Sequence, residues 1–163
     1  MSTANRLRYL AVGAALGFSS AVALRATPGV SFTSTPLVRS TAARGLHAMP
    51  NHLRIDDKTS PGQVNDVLIQ KVLSPTGGSS GWHSHPGYGV VAIKSGHIEA
   101  YDADDSTCTP ALYGPGDVFT EMPNHVHFVR SVGPADYEAY AMFVLPVGVA
   151  PRTDVASPGN CPF

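Results

Sequence analysis

The stretch Gly81-Trp82-His83-Ser84-His85-Pro86-Gly87-Tyr88-Gly89 decides how the rest of the chain is read. Its two histidines are separated by one residue, so on an extended strand both rings leave the same face. A second pair closes the segment Pro123-Asn124-His125-Val126-His127. Neutral imidazole ligates zinc, copper, iron and nickel, and two pairs on one inner surface supply enough nitrogen to hold one ion. A lone His-x-His pair is as often an ordinary polar strand face. The recurrence of the pair behind a Pro-Asn turn signal favours the metal.

Outward from these pairs the pattern is all-β. Val64 to Leu73 is rich in Val, Leu and Ile and runs into Ser74-Pro75-Thr76-Gly77-Gly78, a turn cluster. Tyr88 to Lys94 is apolar, Ser95-Gly96 turns the chain, and His97 to Asp102 returns beside it. Thr109 to Tyr113, Val118 to Met122, Val126 to Val132 and Tyr137 to Leu145 complete the set. No helical period of useful length follows Asn51. Short, closely spaced strands with Gly/Pro turns predict a single small β-barrel or jelly roll.

The two histidine segments resemble the two motifs of the cupin superfamily. His83 and His85 fit the first motif and Gly96 its closing glycine, while the motif's glutamate position holds Gly89. Gly116-Asp117, Pro123 and His127 resemble the second motif, one residue short in the Pro-to-His spacing, so either His125 or His127 is its ligand. The resemblance spans about Val64 to Pro146. It implies a barrel with one divalent transition metal (Fe, Mn, Zn, Ni or Cu), but not which reaction, because the superfamily hosts enzymes, small-ligand binders and storage proteins.

The expected ligands are His83, His85 and His127, joined by His125 or Glu121. With Gly89 at the glutamate position, three neutral His leave the ion's charge uncompensated and a coordination position open to an anionic substrate. Such three-His sites are similar to those of thiol and diketone dioxygenases in the superfamily. On an unbroken strand Glu121 shares a face with Pro123, His125 and His127, so its carboxylate reaches the site; otherwise it is a solvated edge-strand Glu. A bulge at Pro123 would break this parity. Trp82, Tyr88, Phe119 and Phe128 flank the ligands, either lining an apolar pocket or simply filling the core. His97 reads as a solvated strand residue, and His47 and His52 fall in a linker.

Charge divides the chain of 163 residues unevenly: six Arg and no acid up to Arg54, then five Lys/Arg against all twelve acids. An acidic globular part excludes nucleic acid as the expected partner. Arg6 and Arg8 precede an apolar run from Tyr9 to Leu24 with small residues at Ala21-Val22-Ala23, the pattern of an export signal over residues 1–26 cut after Ala23 or Ala26. The run is too short to remain as a bilayer span. A retained anchor and a mitochondrial transit peptide are the alternatives. Residues 27–52 read as a linker, 53–150 as the barrel and 151–163 as a tail. In an exported protein, Cys108 and Cys161, the chain's only cysteines, are a disulfide candidate that would pin that tail. The expectation is an exported metal-binding cupin, an oxygenase or isomerase acting on a small organic acid or phenol, with a homodimer compatible. Its rivals are a non-catalytic binding module and a degenerate cupin whose histidines are structural.

Overall fold

The computed structural model describes residues 25–41 and 65–163. The expected signal segment up to residue 24, and His47 and His52, lie outside the described residues. Ten strands are present among the described residues: β1 (Thr33–Thr41), β2 (Asn65–Ser74), β3 (His83–Ser84), β4 (Tyr88–Ser95), β5 (His97–Asp102), β6 (Ala111–Tyr113), β7 (Val118–Glu121), β8 (His127–Val132), β9 (Tyr137–Pro146) and β10 (Thr153–Asp154). They form two five-stranded sheets, ordered β1-β2-β9-β4-β7 and β10-β3-β8-β5-β6, with every pairing antiparallel. This is the predicted all-β jelly-roll barrel. Among the described residues no helix is long and apolar enough to cross a membrane.

Period-2 alternation builds the core between the sheets. Along β2 the buried residues are Asp66, Leu68, Gln70, Val72 and Ser74, and along β9 Tyr137, Ala139, Ala141 and Phe143 repeat the pattern. Val91, Ile93, Ile98 and Val129 close the same cluster. Gly96 makes the β4–β5 turn at φ +74°, a left-handed conformation open to glycine without a Cβ clash.

A second cluster lies on the other face of the β3-β8-β5 sheet. Phe128 alternates with His127 and Val129, so its ring leaves the barrel interior and meets Trp82, Tyr101 and Cys161. The C-terminal segment covers this cluster, held by a Cys108–Cys161 disulfide with Cα atoms 5.2 Å apart. Val155 N–H donates to Trp82 O, and Thr27 N–H donates to Val155 O, each at 2.9 Å. Trp82 and Phe128 are therefore core rather than pocket, and Tyr88 is exposed.

Two segments differ from their expected boundaries. Residues 33–41, inside the stretch read as linker, form β1 along nearly the whole of β2. All nine residues are exposed, so the strand has no hydrophobic face for a sequence pattern to reveal. It is held by its ladder and by Asp66, which accepts from Arg39 Nε, Thr41 Oγ1 and Gly148 N–H at 2.7, 2.7 and 3.0 Å. The barrel also continues past residue 150, because β10 pairs with β3.

Candidate metal centre

His83 and His85 enter the site from β3 and the turn after it, and His127 stands directly across the ladder from His83. All three are buried, and one ligand nitrogen from each lies within 4.8 Å of the others. Their rings pack at centroid distances of 4.2–5.4 Å.

The hydrogen bonds fix which nitrogens face inward. His83 Nδ1 bonds Gly81 O at 2.9 Å, His85 Nδ1 bonds Pro151 O at 2.6 Å, and His127 Nδ1 bonds His125 O at 3.1 Å. A carbonyl oxygen only accepts, so each Nδ1 carries the proton and each neutral ring turns its Nε2 lone pair inward. Tying the outer nitrogen to a carbonyl is how proteins orient metal-binding histidines.

The fourth group comes from the opposite sheet. Glu121 ends β7, and its Oε2 and Oε1 lie 3.3 Å from His85 Nε2 and 3.2 Å from His127 Nε2. Glu121 Oε2 and His127 Nε2 are buried with no hydrogen-bond partner among the described residues. A carboxylate oxygen facing imidazole lone pairs in a dry site is repulsive unless a cation or proton lies between them. These orphaned atoms fit a divalent ion.

Electrostatics agree for His83 and His85. Burial pushes His83 far below its usual range, and the charges of His127, Arg152 and His85 push the same way. Burial likewise lowers His85 against the pull of Glu121. Both are neutral, as ligands must be. Burial would raise Glu121 and lower His127, but their mutual attraction outweighs it, so Glu121 is held ionised and His127 raised.

Gly89 explains how Glu121 gets in. Gly89 and Glu121 are partners across the β4–β7 ladder. A Cβ on Gly89 would lie 2.9 Å from Glu121 Oε2 and 2.6 Å from Phe143 Cε1. The neighbouring strand's carboxylate thus lies against the point where a side chain at position 89 would begin.

His125 does not join this group. Its Nε2 lies 3.1 Å from Asp102 Oδ1 and 3.6 Å from Asp104 Oδ2 at the surface. The strand parity expected through Pro123 fails because β7 ends at Glu121 and the chain turns between sheets, with Asn124 at φ 59°. Glu121 and His127 thus meet from facing sheets, not along one strand. Sequence reasoning missed Arg152 and Pro151, which reach the site from the segment read as tail. Arg152 donates to Asp154 at 2.6 Å and to Ser80 O. No spacing signal marks either residue.

A cavity of about 170 Å³ opens beside the ligands, lined by His83, His85 and Glu121 together with Phe32, Val72, Val91, Phe119 and Phe143. Its size is close to the roughly 150 Å³ of an engineered cavity that holds benzene.

No protein-family model matches the chain, and no curated protein matches it. Solved structures do. A Klebsiella pneumoniae protein with a double-stranded β-helix domain is 21% identical, with a TM-score of 0.48 over 58% of this chain and 74% of its own. A cupin-like protein of Thermotoga maritima is 22% identical, with a TM-score of 0.46 over 56% and 65%. The DMSP lyase DddQ of Ruegeria pomeroyi is 22% identical, with a TM-score of 0.47 over 53% and 42%. The chain thus spans less than two thirds of the last two proteins. By its own strand order, and by the meeting of both histidine motifs inside the barrel, the fold is cupin-like.

Proposed function

We propose that the chain is an exported metal-dependent enzyme that holds one divalent transition metal on His83, His85, His127 and Glu121 and acts on a small organic acid. One observation carries this reading. Three histidines have their Nδ1 atoms committed to backbone carbonyls, so their Nε2 lone pairs converge with an ionised carboxylate in a buried site.

A bound ion of this kind supplies Lewis acidity toward a substrate oxygen. The chain's own residues set the rest. Three neutral histidines and one carboxylate leave a divalent ion with a single positive charge in excess, and Arg152, paired with Asp154, adds to the positive field there. A singly charged anion restores the balance. Phe143 packs on the His85 ring with centroids 4.4 Å apart, and the apolar walls exclude water and strengthen that attraction.

The disulfide supports export, and the position of Thr27, whose backbone and hydroxyl bond Val155 and Trp82, argues against a cut downstream of it. A cut after Ala23 or Ala26 keeps these contacts. A transit-type cut near Ala48 would remove them together with β1 and Phe32. N-terminal sequencing of the mature protein should find its start at Leu24 or Thr27; an intact Met1, or a start near Ala48, refutes the export route.

The metal is tested on untagged protein. Elemental analysis should find one transition-metal ion per chain, and His83→Ala and His85→Ala should each lose it while keeping the β-sheet circular dichroism. A double variant with full metal content refutes the site. Turnover of small acids, followed by oxygen uptake and by product analysis, should depend on the restored metal. Metal binding without turnover across such a panel would replace the enzyme with a non-catalytic binding module.

A further inference from the structure

Two polar side chains face the cavity without a partner. Gln70 and Tyr137 line it and are only 6% and 2% exposed. Neither side chain hydrogen-bonds to any described residue. Their polar groups open onto the cavity, and together they offer it two N–H donors, a carbonyl acceptor and a hydroxyl. They point to a ligand.

Register shows where they stand. Glu121, Gly89, Phe143 and Leu68 form one inward row across the sheet, and Phe119, Val91, Ala141 and Gln70 form the next. Two residues along a strand separate these rows by about 7 Å. Ala139 and Ala141 keep the floor low between Phe143 and Tyr137. Gln70 thus stands one row along from the metal ligands and Tyr137 four residues further along β9 from Ala141, both on the wall of one largely apolar slot.

We propose that Gln70 and Tyr137 read a second oxygen on the substrate, so that the site selects a short bifunctional acid with a carboxylate at the metal and a hydroxyl or carbonyl at the far end. The inference rests on the metal reading above and adds the specificity to it. A second carboxylate at the far end is disfavoured, because neutral Gln70 and Tyr137 would leave its charge buried without a cation.

The test uses the full mature protein loaded with Co(II), whose visible spectrum reports a carboxylate entering the coordination shell. 3-Hydroxypropanoate and 4-hydroxybutanoate are titrated against their methyl isosteres, butanoate and pentanoate. The better-fitting hydroxy acid should bind about tenfold or more tighter than its isostere. In Gln70→Leu that preference should shrink to about twofold, with cobalt content and isostere affinity unchanged. Tyr137→Phe keeps the ring and its packing on Phe32, so it carries the test if Gln70→Leu does not fold, and should lose part of the preference. Equal binding of acid and isostere by the unaltered protein overturns the proposal, as does a preference that survives in the folded variants. A protein that takes up no cobalt fails earlier, and overturns the metal reading and this one together.

Discussion

Moving the carboxylate from position 121 to position 89 should carry the metal site with it. Glu121→Ala alone leaves three neutral imidazoles, and metal affinity should fall by at least the roughly 10–100-fold that accompanies loss of a supporting group. Gly89→Glu alone crowds the site. Its Cβ would sit 2.9 Å from Glu121 Oε2 and 2.6 Å from Phe143 Cε1. Two carboxylates about 4 Å apart repel by about 4 kcal/mol at an effective dielectric constant of 20, so one must be protonated or expelled. The Phe143 ring must also give by about 0.8 Å to reach ordinary 3.4 Å contact. Overpacking of that kind costs about 1–3 kcal/mol, or roughly 2–12 °C in Tm for a chain of this size. In Gly89→Glu/Glu121→Ala the charge repulsion is gone but the Phe143 contact remains. The double variant should therefore melt below wild type yet bind metal within about tenfold of it. Chelator competition gives the affinities and differential scanning fluorimetry of the metal-free proteins gives the melting temperatures. A folded double variant that binds metal as weakly as Glu121→Ala would refute the idea that Glu121 stands in for a residue at position 89.

Two more outcomes follow from contacts outside the site. Replacing both Cys108 and Cys161 by Ser opens a loop with a sequence separation of 53, which should cost about 4 kcal/mol in the chain-entropy model and is read by urea unfolding. Asp66 is held down to about 2, below its ordinary 3.8, by hydrogen bonds from Gly148, Thr41 and Arg39. A lowered carboxylate stabilises the fold above its ordinary value and ceases to as pH falls through the folded one. Hydrogen exchange in residues 33–41 should therefore quicken as pH drops from about 4 to 2, and Asp66→Asn should show the fast exchange already at neutral pH; equal protection in both proteins would exclude Asp66 as the anchor of β1.

How far the sequence could be read depended on whether a local pattern carried the information. The paired histidines, the alternation in β2 and β9 and the Ser95-Gly96 turn are local, and the barrel followed from them. Strand parity also brought His83 toward the interior. The same rule failed at Pro123, where β7 and β8 belong to different sheets, and so could not choose between His125 and His127. β1 was missed because an edge strand exposed on all its residues shows no alternation. Pro151, Arg152 and Gln70 were missed because their importance comes from neighbours far off in the chain.

The hydrogen bond from His85 to Pro151 spans 66 residues, and it has a consequence for biogenesis. The carbonyl that sets the tautomer of an early ligand is synthesised 66 residues after it. Thr27 bonds Val155 across a still longer separation of 128 residues. A chain stalled or truncated before residue 151 would hold both histidine motifs and still present His85 unoriented. Full orientation of the ligands is thereby placed after residue 151 has been made. Were the chain threaded unfolded through an export channel, as proposed above, the ion would be acquired in the destination compartment, and the supply there would decide which metal the site receives.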